Sequence, residues 1–363
     1  MLIADEGRHS PCDILRAVAG AFSFLTQLHT VGMTSLAIIG TRGHHGRVLE
    51  ELTQMPQVRL SAVCDGGDTA EPLVEWSRAH NHDTQRFADH RQMLNRVRPD
   101  AVVVCGPFEL HAAMSIDAIQ MGIPVLTEKP AALTFEELDK LRAACAAHPS
   151  VHLAGMMFSR YDPGFFTAKQ LISSGAIGDV RLVNARKSYK LGRRAAYYHE
   201  RATYGGTIPW VGSHAIDWVM WMTGKPFTSV LATHSAAANG DNGTMERSAQ
   251  CLFTMADDVS ATVSIDVFRP AKAPTHGDDW IRIVGTKGVI EARPNSVSLI
   301  NETNDGSQTV AVACERKPFQ DFCDHLQGRS KSLIDAGSTL ELTDACLRAR
   351  QSADENRVIA FAK

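Results

Sequence analysis

No apolar run in these 363 residues approaches the roughly 18 needed for a helix to cross a bilayer, so no membrane span is expected. No block of Lys and Arg exceeds a few residues and the formal net charge is −3, which leaves no electrostatic footprint for nucleic acid. The eight cysteines, at 12, 64, 105, 145, 251, 314, 323 and 346, form no C-x-x-C pair. Reduced core thiols in a cytoplasmic protein are therefore expected, not a disulfide frame. Internal repeats and low-complexity tracts are missing too. What is there is an ordinary globular composition, 44% apolar and 21% charged, with enough chain for two domains.

The first 32 residues stand apart. "ILRAVAGAFSFL" (14–25) is apolar, but Arg16 interrupts it and no small-residue cleavage site follows, so a signal peptide is not expected. Residues 1–32 are read as an N-terminal extension carrying a short helix.

From residue 33 to 154, short continuous apolar runs alternate with helical spacing. "TSLAIIGT" (34–41), "VRLSAVCD" (58–65), "AVVVCGP" (101–107), "IPVLTEKP" (123–130) and "VHLAGMMF" (151–158) suit strands buried on both faces. Helices are expected between them, including one across "FADHRQMLNRVRPD" (87–100) and one at 134–148, where Thr134 and Glu137 have capping-box spacing. This alternation predicts βαβ units and a doubly wound parallel sheet, a Rossmann domain. From 155 to 363 the character changes. A helix near 163–174 precedes alternating strand-like runs, among them "VRLVNARKSYK" (180–190) with one wet face, and "GTKG" (285–288) marks a hairpin. A second α/β domain on a large, mostly antiparallel open sheet is expected.

Three motifs carry chemistry. The first strand runs into "GTRGHHG", with Gly40, Thr41, Arg42, Gly43, His44, His45 and Gly46. Glycines there allow a tight turn and bring backbone N–H groups to a pyrophosphate at a helix N-terminus. The spacing is G-x-x-G-x-x-G, with Arg42 where the usual second glycine falls. Asp65, 25 residues after Gly40 at the end of the second strand, suits the adenosine ribose and disfavours a 2′-phosphate, which predicts NAD over NADP. The doublet His44-His45 has no second ligand cluster at a known spacing, so no metal is expected. The second motif, Glu128-Lys129-Pro130, falls at the C-terminal rim of a parallel strand. Glu128 can meet a ribose hydroxyl, Lys129 can hold a substrate oxygen and favour its alkoxide, and Pro130 rigidifies the turn. The third is "YGGTIPWVGSHAID" (204–217), which offers His214 as a base and Asp217 three residues on, either to orient its ring or to make a structural bond.

Together these residues, with "CGPFELH" (105–111) and "IVGTKGVIE" (283–291), resemble the Gfo/Idh/MocA family of nicotinamide-dependent sugar and polyol oxidoreductases over about residues 34–355. The resemblance implies that Lys129 and His214 face nicotinamide and substrate, that Pro107, His111 and Glu128 line the cofactor site, and that the open sheet makes a homodimer or homotetramer. It implies NAD-dependent oxidation of a secondary hydroxyl on a sugar, polyol or derivative. Arg160, Tyr198 and Asp217 are further substrate candidates, with Lys190, Arg194 and His199 near them. Two departures stand out. Gly106 and Phe108 replace the family's usual Thr and Asn. Trp210 occupies the position of the family's aspartate, four residues before the histidine. Indole accepts no proton, though it can stack on a sugar ring. Two other readings follow: a hydrolase or epimerase using bound NAD in transient redox, and a non-catalytic NAD- or sugar-binding sensor.

Overall fold

The computed structural model describes residues 35–303 and 306–361; the expected N-terminal extension lies outside them. The described residues form one unit carrying two sheets. The first has six parallel strands: β1 (Ser35–Ile39), β2 (Arg59–Cys64), β3 (Gln85–Phe87), β4 (Ala101–Val104), β5 (Val125–Thr127) and β6 (Leu153–Gly155), in the order 3-2-1-4-5-6. β4 and β5 are buried along their whole length, as strands covered on both faces must be. Chain order reverses between β1 and β4, and the crevice at the carboxyl ends of those strands is where open α/β sheets receive ligands. Gly40 sits in it with φ of +73°, where a Cβ would stand 2.5 Å from the Cys105 carbonyl oxygen.

The second sheet has nine strands: β7 (Val180–Ser188), β8 (Phe227–Ser235), β9 (Ser248–Met255), β10 (Ser260–Asp266), β11 (Trp280–Gly285), β12 (Gly288–Arg293), β13 (Ser296–Asn301), β14 (Gln308–Val310) and β15 (Ile359–Ala360), in the order 14-13-12-11-7-10-9-8-15. Only β7 and β10 pair in parallel. Alternation sends Ala249, Cys251 and Phe253 of β9 and Ala261, Val263 and Ile265 of β10 into the core. On the opposite face Leu182, Leu231, Leu252 and Ile300 remain 38–47% exposed. The hairpin at Gly285–Gly288 is present between β11 and β12.

Thr134 and Glu137 form the expected capping box on helix Phe135–Ala147. The helix expected across 87–100 is shorter. Asp89 caps it by accepting from the Gln92 N–H at 2.8 Å, so the helix is His90–Val97, and Gln85–Phe87 pairs with β2 as an edge strand instead. The long helix Ala336–Glu355 joins the two sheets. Its Thr339 hydroxyl accepts from the Gly155 N–H of β6, and its Arg350 donates to the carbonyls of Gly205 and Leu133. Those two carbonyls belong to the segments that carry His214 and Lys129.

Candidate active site

The loop after β1 is fixed mainly by protein groups. Thr41 Oγ1 donates to the Thr69 carbonyl, and Arg42 Nε donates to Asp68 while its guanidinium lies 3.9 Å over the Tyr197 ring. Arg42 is thus held at Nε and on its face, while its Nη1 has no hydrogen-bond partner. Gly43 passes so close to Glu128 that a Cβ would stand 2.2 Å from Oε1. Glu128 Oε1 accepts from the His44 backbone N–H, and His44 Nδ1 lies 2.6 Å from the same oxygen. Burial alone would raise the Glu128 pKa, but His44 and Lys129 outweigh it and hold it at about 2. Gly46, at the start of helix His45–Leu52, has nothing within 4 Å of a Cβ position. That leaves room beside the helix N-terminus for a phosphate. Asp65 takes the Ala70 N–H and Arg86 on Oδ1, and Pro107 stands beside Gly67 of the same rim. A glycine turn at the sheet crevice, an open helix N-terminus and an acid at the end of β2 fit a dinucleotide. Burial lowers the pKa of His45, against Glu128, and its Nδ1 has no partner.

Lys129 precedes a cis peptide bond to Pro130 and is buried, with Nζ donating to the Trp210 carbonyl at 3.0 Å. Burial, opposed by Glu128 and reinforced by Lys187 and Arg194, brings its pKa down to about 8. His214 is the second residue of helix Ser213–Thr223, which is continuous with a π-helical turn at Ile208–Gly212. Pro209 has no N–H to give that turn, and Gly212 packs where a Cβ would stand 2.4 Å from Ile265 Cδ1. Wide turns of this kind recur at functional sites. Here it carries the Trp210 carbonyl that meets Lys129 and, two residues past its end, His214. The His214 ring is 6.1 Å from that of His44, and its Nε2 is buried without a protein partner. Burial, then Lys129, Lys187 and His44, hold its pKa well below the usual histidine value. The site therefore sets a neutral imidazole near a tuned ammonium.

Other candidates have different places. Arg160 and Asp217 bind each other: Nε and Nη2 of Arg160 meet both carboxylate oxygens at 2.6–3.1 Å, and Nη1 donates to the Leu333 carbonyl. Asp217 is 0% exposed. Both are committed to a buried pair, so the Asp217 carboxylate is taken by Arg160 and makes the structural bond, not one to the His214 ring. His111 is also corrected. Its ring nitrogens face the carbonyls of Pro130 and Gly106 at 2.9 and 3.0 Å, so it ties two loops together and leaves nothing for a cofactor. Glu128, 1% exposed, has Oε1 on His44 and Oε2 on the Lys129 N–H, so it anchors the glycine loop. The Trp210 indole is no sugar platform. It is 5% exposed, against Tyr198 and Tyr204, with the Arg194 guanidinium 4.8 Å over its ring. Tyr198 is likewise buried in this stack and packs on Phe108.

Sequence reasoning passed over Arg86, Arg350, Lys187 and Asp279. Lys187 sits inside a strand whose wet face was the only one expected to carry charge, yet it points inward and pairs with Asp279.

Residues 34–155 match the family model described as "Oxidoreductase family, NAD-binding Rossmann fold", and residues 165–291 match that of the GFO/IDH/MocA C-terminal domain. The chain belongs to the Gfo/Idh/MocA oxidoreductase family. Its Gfo/Idh/MocA relatives include inositol 2-dehydrogenase of Ralstonia nicotianae, 26% identical over 342 residues that span 90% of this chain and 96% of that one. A solved structure from Thermotoga maritima, classed as an oxidoreductase, is 38% identical with a TM-score of 0.85, covering 90% of this chain and 100% of that one. Aldose-aldose oxidoreductase from Caulobacter crescentus, solved with glycerol, shares the fold at 19% identity and a TM-score of 0.77, over 90% of this chain and 99% of that one. The first sheet is accordingly an NAD-binding Rossmann domain.

Proposed function

We propose that this protein is an NAD-dependent dehydrogenase oxidising a secondary hydroxyl of a sugar, polyol or derivative. What supports this reading is a buried His214 Nε2 without a protein partner and a Lys129 ammonium held on the Trp210 carbonyl, four residues before His214, with the Lys129 charge lowering the His214 pKa. The nicotinamide supplies a hydride acceptor. His214, neutral at pH 7, accepts the hydroxyl proton at Nε2. Lys129 donates to the reacting oxygen and favours its alkoxide. Burial of both excludes water and strengthens their electrostatics. Residues 33–154 would hold the cofactor and 155–363 the substrate and the oligomer contact. Asp65 supports NAD over NADP, and the relative named inositol 2-dehydrogenase supports the substrate class.

The open sheet face supports a homodimer or homotetramer. Leu182 stands opposite Val284, Val284 opposite Val289 and Val289 opposite Ile300, an apolar row across four strands.

Absorbance of the reduced nicotinamide, followed with NAD and NADP across a polyol and sugar panel, tests the reading. Turnover that is lost in Lys129→Ala and His214→Ala supports it. Tight NAD binding without turnover on any panel member would overturn it in favour of a binding protein, a reading that the missing acid at Trp210 favours.

A further inference from the structure

Among the buried polar atoms without a protein partner are Nε2 of His214 and Oδ1 of Asp279. The other Asp279 oxygen pairs with Lys187 Nζ. Sheet register explains why these groups converge. Ile281 of β11 stands opposite Ala185 of β7, and both face the core. Two residues on along each chain toward the same rim lie Asp279 and Lys187, which alternation sends to that same face. Lys187 also stands opposite Ile265 of β10, and Ile265 is the residue on which Gly212 packs, two residues before His214. From the helix side, Lys187 Nζ lies 5.3 Å from the Trp218 ring centre. Trp218 is four residues after His214, on the same helix face. Tyr189, its ring 4.8 Å from Lys187 Nζ, borders the pair.

A buried polar atom without a partner is costly and calls for one. We propose that Asp279 is a substrate-binding residue: its free oxygen accepts a hydrogen bond from a second hydroxyl of the polyol whose reacting hydroxyl meets His214, and Lys187 is the positioning residue that holds the carboxylate. The proposal rests on the polyol reading above. It returns a carboxylate to a wall that has Trp210 in place of the family's acid, now from the sheet and not from the turn. Burial is the main cause of the lowered pKa values of His214 and Lys129, and the Lys187 charge lowers both further, as a cation sharing their wall would.

The test is calorimetric titration of myo-inositol into protein saturated with NADH, with KM measured on the same polyol where it is oxidised. Asp279→Asn and Lys187→Met are expected to weaken polyol binding and raise KM by about tenfold or more, Lys187→Arg to restore most of the loss, and NADH affinity to stay within about twofold, which reports an intact fold. Wild-type protein should also oxidise 1,2-propanediol at least about tenfold more efficiently than 2-propanol, a comparison that needs no variant. Wild-type KM in Asp279→Asn, or equal use of diol and mono-alcohol, overturns the contact alone. Binding of myo-inositol that Asp279→Asn abolishes, without oxidation of any polyol, keeps the contact and overturns the dehydrogenase. No polyol binding by the wild-type protein overturns both.

Discussion

The ammonium nitrogen of Lys129 lies 3.0 Å from the backbone carbonyl oxygen of Trp210. Where the family pattern has an aspartate, the main chain of a π-helical turn provides the polar contact. A carbonyl dipole favours the charged lysine less than a carboxylate would, so burial prevails and the pKa falls to about 8.

The first prediction concerns pH. His214 must be neutral to accept a proton, and its pKa lies well below the usual value. Lys129 must be charged, and its pKa is about 8. For alcohol oxidation kcat/KM is therefore expected to be level through neutral pH and to fall as pH rises through 8. A kcat/KM profile that rises through 8 would make Lys129 the base and reverse the two roles.

Trp210→Asp should not rescue a missing acid. The indole is packed on Tyr198, Tyr204 and Arg194, so its removal costs roughly 3 kcal/mol or more. Thermal unfolding is expected at lower temperature and kcat/KM to drop. A rise in kcat would identify the natural residue as a catalytic defect.

Glu128→Gln should loosen the glycine loop at a cost of about 1–3 kcal/mol at pH 7. The Glu128 pKa in the folded protein, about 2, lies below its unfolded value. Its contribution is therefore full above the unfolded pKa and is lost as pH falls through the folded one. Denaturant titrations should show the gap between wild type and variant narrowing from pH 5 to pH 3; a gap independent of pH counts against the His44 contact.

Asp217→Ala leaves Arg160 charged and buried, which costs roughly 3–5 kcal/mol. NADH affinity of the folded fraction should be unchanged. If that variant keeps full stability but loses turnover, Asp217 belongs to the chemistry after all.

Leu231 and Leu252 stand directly opposite each other on the exposed sheet face. Leu252→Lys is expected to shift sedimentation toward monomer with little change in the unfolding of the single chain. An unchanged oligomer moves the contact to another surface.

The Rossmann half was legible because its strands are unbroken apolar runs and its turn residues occur in sequence order. Lys129 and His214 stand out in the sequence through their motifs, and both are buried, one at the carboxyl side of the first sheet and the other on the helix after the π-helical turn. The Arg160–Asp217 pair was not, since its members lie 57 positions apart and each alone reads as a polar ligand. Lys187 was hidden for a different reason. Alternation shows that a strand has two faces, but charge at 186 and 187 in a row does not say which one the buried lysine takes; the ion pair with Asp279 decides it. Gln85–Phe87 was too short to read as a strand without β2 beside it.

Arg350 holds the Gly205 and Leu133 carbonyls with one guanidinium. The spacing of the segments that carry Lys129 and His214 is therefore tied to a residue of the last long helix. During synthesis the Lys129 and His214 segments emerge first, joined by the Lys129–Trp210 hydrogen bond, and the Arg350 clamp is added only when the last long helix has docked. A nascent chain stopped before residue 336 would carry both segments with one hydrogen bond between them and without the guanidinium that fastens their flanks.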